Sequence, residues 1–495
     1  MGEPQDRSPS DRDRPAVRGK GRLYAGWATD HRLCERPDEL RPVAAVRSGE
    51  RYDHSGSPTG NLDVVSDEIR MLPDRYHGAI EHWRQHNFPD YPRLAEVWTK
   101  FFPKDEAFCL CAKVAGDIPA EIEIGDDIGK PKALEPKELA PEAAQHLLSQ
   151  IRAQASTEFG SIQQHQMTLF RAQEPQDQAW ALRVMAEELR HGYQMVHLLT
   201  SSDWSPVTET KPEDMVEEIL SMQTGSHVLA AFNLEFDSFL DNVVFAAFID
   251  RVGKYQLTMQ KISAYKPYAS SMPPMLREEA FHLAAGVIPL RRWVEHAARG
   301  DGYIDMPAIQ KAVHKWFGRG LEMFGDERGG QTNVKFGLKD LNNRDAQDQY
   351  IQECTKMLDD LNVRYVRARF PDRTRDEADA IFARVAAGET VDGLTREDLL
   401  RLPDRRFFRR RGEFAFQTVG THGETFTDVE KYITHVLASL PEAYRASIDV
   451  KHWADLQRAV VAGTTPLKEA MASMPRLARQ AGGCPCGKSV RWVID

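Results

Sequence analysis

The sequence predicts a mainly α protein: a four-helix bundle at residues 141–370, with a helical region at 61–140 before it and a mixed, partly helical region at 371–495 after it. Three observations predict it. Apolar residues recur at helical spacing over long runs from residue 142 onward. The runs fall into two pairs, each joined by a turn that contains proline. Each pair carries the same pattern: a carboxylate and, about thirty residues later, an acid-x-x-His.

Residues 1–60 are rich in Arg, Pro, Asp and Gly and have little periodicity, which predicts a disordered leader. The opening "MGEPQDRSPSDRDRPAVRGKGR" lacks the apolar stretch of a secretory signal. Residues 66–101 predict short helices interrupted at Pro73, Pro89 and Pro92. The stretch 116–145 combines a short alternating run with four prolines and predicts a linker or edge hairpin. The first bundle helix is expected at 142–172, with Gly160 a tolerated flaw, and the second at 177–202. A short connecting helix is expected at 211–224. The third long helix is read at 225–262 and the fourth at 273–298, with a kink near Pro289. Further helices are expected at 305–322 and 344–369.

A net charge of -10 disfavours a nucleic-acid partner. The longest apolar segment, "HVLAAFNLEFDSFLDNVVFAAFID", contains Glu235, Asp237 and Asp241, so it reads as a buried core helix and not a membrane span. Six cysteines in 495 residues do not make a disulfide framework, and a cytoplasmic location is expected. The two C-x-C pairs, Cys109/Cys111 and Cys484/Cys486, are expected as thiols and not as a zinc site.

The chemistry concentrates in "AEELRHGYQM" and "REEAFHLAAG". Glu188 with His191, and Glu279 with His282, each lie one helical turn apart on one face, which suits a carboxylate and an imidazole on one metal. One such motif is weak. Two on successive long helices invite a test: each should face a carboxylate across its hairpin. Reflection through the first turn, near residue 174, leads from Glu188 to Glu158. Reflection through the second, placed near 266–267, leads from Glu279 to the neighbourhood of Asp250, which ends the apolar run "NVVFAAFID". An unpaired carboxylate there would cost several kcal/mol. Four carboxylates would balance two divalent cations. Glu158, Glu188, His191, Asp250, Glu279 and His282 are therefore the candidate metal ligands and catalytic centre. The bundle arrangement favours di-iron or di-manganese over a lone zinc. The adjacent Glu187 and Glu278 are expected off the site, in outer contact with it or facing solvent. His165 is read as a core or outer histidine. Apolar walls are expected from "MTLF" (167–170) and "FAAF" (245–248).

The order Glu158, Glu188-x-x-His191, Asp250, Glu279-x-x-His282, with "EMFGDERGG" and "KDLNNRDAQDQYIQECTKM", resembles the benzoyl-CoA epoxidase and phenylacetyl-CoA epoxidase family over roughly residues 140–365. The resemblance implies a ferritin-like fold with two iron ions and O2 as co-substrate. It implies epoxidation of an aromatic acid held as its coenzyme A thioester, with electrons from a separate NADPH-dependent flavin and iron-sulfur reductase. Gln154, one turn before Glu158, is a candidate for the acyl carbonyl, set against an ordinary solvent-facing glutamine. In "RRFFRRRGEF", Arg405, Arg409 and Arg410 are candidates for the coenzyme phosphates, set against reductase docking or a solvated face. Other readings are a di-iron N-oxygenase, hydroxylase or desaturase, and a non-catalytic ferritin-like iron-binding protein.

Overall fold

The computed structural model describes residues 67–91, 108–325, 327–408 and 418–428, with isolated positions between and beyond them. The leader, Cys484, Cys486, Arg409 and Arg410 lie outside the described residues. Among the described residues the architecture is predominantly helical, a ferritin-like bundle, and no helix is long and apolar enough to cross a membrane.

A two-stranded antiparallel ribbon, β1 (Glu68–Arg70) with β2 (Ala112–Val114), flanks α1 (Asp74–Asn87). Two helix hairpins form the bundle: α2 (Pro141–Thr168) with α3 (Pro175–Thr200), and α5 (Phe239–Gln260) with α6 (Lys266–Arg299). A short α4 (Pro212–Ser221) packs on the first hairpin. Then α7 (Met306–Met323) covers α5, α8 (Glu327–Lys335) follows, and α9 (Asn343–Arg369) covers α6. A short α10 (Arg375–Ala386) packs on α9. The helix α5 is buried nearly all round from Phe239 to Val252 because it faces the bundle on one side and α7 on the other. Its outer aromatic contacts are Phe245 on Trp316 and Phe248 on Phe317.

Two helix starts differ from the sequence expectation. The third long helix begins at Phe239, not near 225. Asp241 accepts from the backbone N–H groups of Asp237 (2.6 Å) and Ser238 (3.2 Å), which caps the helix there. The preceding apolar residues fold back, with Asn233 Oδ1 accepting from the amides of Gly225 and His227. Gln164 of α2 donates to the carbonyls of Ala231 (2.8 Å) and Leu234 (2.6 Å) in that loop. Gly160 is more than a tolerated flaw: a Cβ there would lie 3.1 Å from the His227 ring.

The fourth helix begins at Lys266 and runs through Pro273 and Pro274, so the turn before it is 261–265. Pro274 cannot donate to the carbonyl of Ser270. The amide of Ala115, just after β2, takes that carbonyl at 2.9 Å, so the proline leaves it satisfied. Of the expected linker at 116–145, the part before α2 carries a 3-10 turn at Pro136–Glu138 and isolated bridges, Glu121 with Pro131 and Ala133 with Tyr265, and no hairpin. Strand pairing instead joins β1 to β2, which lie far apart in sequence.

Candidate metal centre

Each hairpin contributes three of the six expected residues. Glu158 stands on α2, Glu188 and His191 on α3, Asp250 on α5, Glu279 and His282 on α6. None is more than 8% exposed. Their polar atoms converge on a common space. His191 Nδ1 lies 3.6 Å from Glu188, 3.8 Å from Glu158 and 4.0 Å from Glu279. His282 Nδ1 lies 3.5 Å from Glu279, 3.7 Å from Glu188 and 3.9 Å from Asp250. Glu188 and Glu279 thus stand between the two imidazoles, while Glu158 belongs to one and Asp250 to the other. Two overlapping groups, Glu158–Glu188–His191 and Glu188–Asp250–His282, have ligand atoms within 4.8 Å of one another.

The fit to metal ions can be tested on unpaired polar atoms. His191 Nδ1, His282 Nδ1, Asp250 Oδ2 and Glu279 Oε2 are buried without a hydrogen-bond partner. Folded proteins rarely leave such atoms unpaired, and four in one cluster is a large unmet demand. Cations bound among them would meet it. The electrostatics agree. Burial, then repulsion from Glu188, pushes Glu158 well above the usual carboxylate range, and Asp250 rises for the same reasons. Burial also pushes Glu188 up, but hydrogen bonds with Glu158 and His191 bring it down to about 2. Without cations the cluster holds protons to limit its charge. Metal binding would displace them and would therefore strengthen as pH rises.

The outer nitrogens of the imidazoles decide the roles of the two remaining acids. His191 Nε2 lies 3.1 Å from Glu278 of the opposite hairpin, and His282 Nε2 lies 3.2 Å from Glu187 of the other. Each hairpin's first acid thus holds the other hairpin's histidine. Arg190 and Lys113 pair with Glu278, and Arg183 donates to Glu187 at 3.1 Å. Each carboxylate accepts from Nε2–H, which keeps a proton on that nitrogen and leaves Nδ1 with its lone pair facing inward. The signal was present as the doubled acid in Glu187-Glu188 and Glu278-Glu279. Neither acid faces solvent: Glu187 is 1% exposed and the Glu278 side chain 12%. We expect Glu278→Gln to weaken metal retention or turnover about 10- to 100-fold. Chelator competition measures this; unchanged retention and turnover would remove the orienting role.

A cavity of about 540 Å³ opens from the cluster, with Glu158, Glu188, Asp250 and Glu279 in its wall. Gln154 lines it too, and its Oε1 accepts from the Tyr268 hydroxyl at 3.1 Å, so this glutamine is not simply solvent-facing. The apolar lining comes from Leu229, Phe232, Ile249, Leu257, Met323 and Phe324. Residues 167–170 and 245–248 are absent from that lining. Phe245 and Phe248 point to α7, and Phe170 is exposed, because their positions on the helices turn them away from the cavity. A groove of about 500 Å³ beside α1 and α4 contains none of the cluster residues. His165 is buried between Phe236 and Phe245, with Nδ1 2.6 Å from Asn242, and burial pushes it down to about 4. Arg405 is exposed on a short 3-10 turn and is not among the cavity's lining residues.

Residues 143–377, which include the whole cluster, match the family model described as phenylacetic acid catabolic protein. Within the curated proteins it is similar to benzoyl-CoA oxygenase component B of Aromatoleum evansii, with 28% identity over 191 residues. That match covers 36% of this chain and 40% of the relative's length.

Proposed function

We propose that this chain is the oxygenase component of a di-iron enzyme that epoxidises an aromatic acyl-CoA thioester such as benzoyl-CoA. One observation carries the reading. Two buried imidazoles and four carboxylates converge at the wall of a substrate-sized cavity, inside the segment that matches the phenylacetic acid catabolic family. The similar protein is named as component B, which supports a separate electron-delivering component. We assign that role to an NADPH-dependent flavin and iron-sulfur reductase.

Glu158, Glu188, His191, Asp250, Glu279 and His282 would hold two irons, whose chemistry when bound is the reduction of O2 with incorporation of one of its atoms into the substrate. The chain's own residues do the rest. Glu187 and Glu278 keep protons on the outer imidazole nitrogens. Phe232, Ile249 and Leu257 supply an apolar wall that excludes water and receives a ring. The Gln154 carboxamide, with Tyr268 on its oxygen, can turn its N–H toward an acyl carbonyl. The thioester adds a remote handle whose binding energy positions the ring.

Turnover of benzoyl-CoA under ¹⁸O₂ with NADPH and reductase should give a product carrying one labelled oxygen. Free benzoate should react far more slowly. Unlabelled benzoyl-CoA and phenylacetyl-CoA, with NADPH consumed only to peroxide, would remove the acyl-CoA assignment and leave the metal centre for another substrate.

A further inference from the structure

We propose that the end of the cavity remote from the metal centre is a subsite for amide groups, in which Gln150, Gln260 and Asn333 recognise the secondary amides of an arm that carries the aromatic acyl group. This rests on the acyl-thioester reading above. The three side chains come from α2, α5 and α8 and line the same cavity as the four metal-facing carboxylates. Gln150 Oε1, Gln260 Oε1 and Asn333 Oδ1 are each buried without a hydrogen-bond partner. Gln260 is 7% and Asn333 8% exposed. One such atom could be incidental. Three from separate helices around one cavity point to a ligand, because each unmade bond costs roughly 1–3 kcal/mol.

The chemistry of the three groups narrows the ligand. A carboxamide both donates and accepts. The three unpaired atoms are all acceptor oxygens, so the ligand must bring N–H or O–H donors, which a secondary amide does and an alkyl chain or a carboxylate does not. Position narrows it further. Gln150 precedes Glu158 by two turns, roughly 12 Å along α2, and Gln260 follows Asp250 by roughly 15 Å along α5. An aromatic acyl thioester with its ring near the metal centre would place the amides of a pantetheine-like arm at that depth. The segment that brings in Lys339 is tied to the end of α5, where Asp340 N–H donates to Met259 O at 3.3 Å. Lys339 is the cation among the described lining residues. The cavity therefore runs from an acidic end at the metal ligands to an amide-lined, cationic end, which gives a substrate one direction of entry.

The test is calorimetric binding to the full-length chain, with no turnover required. The probes are benzoyl-pantetheine, S-propyl thiobenzoate (which has no amide), and pantetheine without an acyl group. The wild type should bind benzoyl-pantetheine at least about tenfold more tightly than S-propyl thiobenzoate. The double variant Gln260→Leu/Asn333→Leu should lose that preference and keep its affinity for S-propyl thiobenzoate. Removing unpaired polar atoms should not unfold it, and the single variant Gln150→Met provides a milder second case. Equal wild-type affinity for the two thioesters, or a preference that survives in both variants, would overturn the subsite and leave the aromatic thioester reading standing. Binding of pantetheine that the double variant loses, with neither benzoyl thioester bound, would uphold the subsite and overturn the aromatic acyl assignment.

Discussion

Glu188→Ala is expected to abolish both metal retention and turnover, from about two irons per chain after anaerobic Fe(II) loading. Activity should fall at least about a thousandfold, or ~4 kcal/mol in the barrier. The reason is position. Glu188 is the carboxylate common to both candidate ligand groups, 3.6 Å from His191 Nδ1 and 3.7 Å from His282 Nδ1. Its loss leaves each group incomplete. The metal-free variant should still fold, because Glu188 raises the cost of ionising Glu158 and Asp250 beside it, and the substitution removes that repulsion. His282→Ala should behave in the same way toward metal. Iron analysis and anaerobic activity of the same preparation check the pair of effects. A variant that keeps two irons, or a wild type that holds a single tight zinc, would sink the di-iron assignment.

Gly286→Ala is expected to destabilise the protein by at least about 2 kcal/mol, against the helix-propensity rule. In an isolated helix alanine is favoured over glycine by about 1 kcal/mol. Here a Cβ would stand 2.4 Å from the backbone nitrogen of Ala247, where α5 and α6 touch. Backbone cannot step aside as a side chain can, so the helices must separate. His282 lies one turn before Gly286 and Asp250 about one turn after Ala247, so metal affinity should fall together with stability. Gly78→Ala in α1 is the control: nothing lies within 4 Å of its Cβ, and it should be neutral or stabilising. Denaturant midpoints of the two variants separate the cases. Equal shifts would show that α5 and α6 can accommodate the methyl group.

Much of the bundle was legible because helices announce themselves locally. The spacing of apolar residues marked α2, α3, α6, α7 and α9, and acid-x-x-His needs only a helix to bring its two side chains onto one face. Asp250 could be found although the second turn was placed a few residues late, since the structure puts it at 261–265. One helical turn of error still leaves a residue near the same height. The apolar run from 228 onward read as a continuous helix because loop and helix there are equally hydrophobic. Only Gln164, on another helix, satisfies the carbonyls that let it fold back.

The sequence by itself marked the candidate ligands and the helices that carry them, because those are properties of periodicity within one segment. The tertiary structure alone decided what surrounds them. It sends Glu187 and Glu278 across to the opposite hairpin's imidazoles, and a residue adjacent to a candidate ligand points about 100° away from it, toward whichever helix packs there. It carries α6 through Pro274, because Ala115, distant in sequence, takes the freed carbonyl. It lines the cavity with Ile249 and Leu257 and not with Phe245 or Phe248, because the rotation of α5 is set by what packs on both of its sides. A pattern along one helix fixes relative direction, and only the contacts between helices fix what lies in that direction.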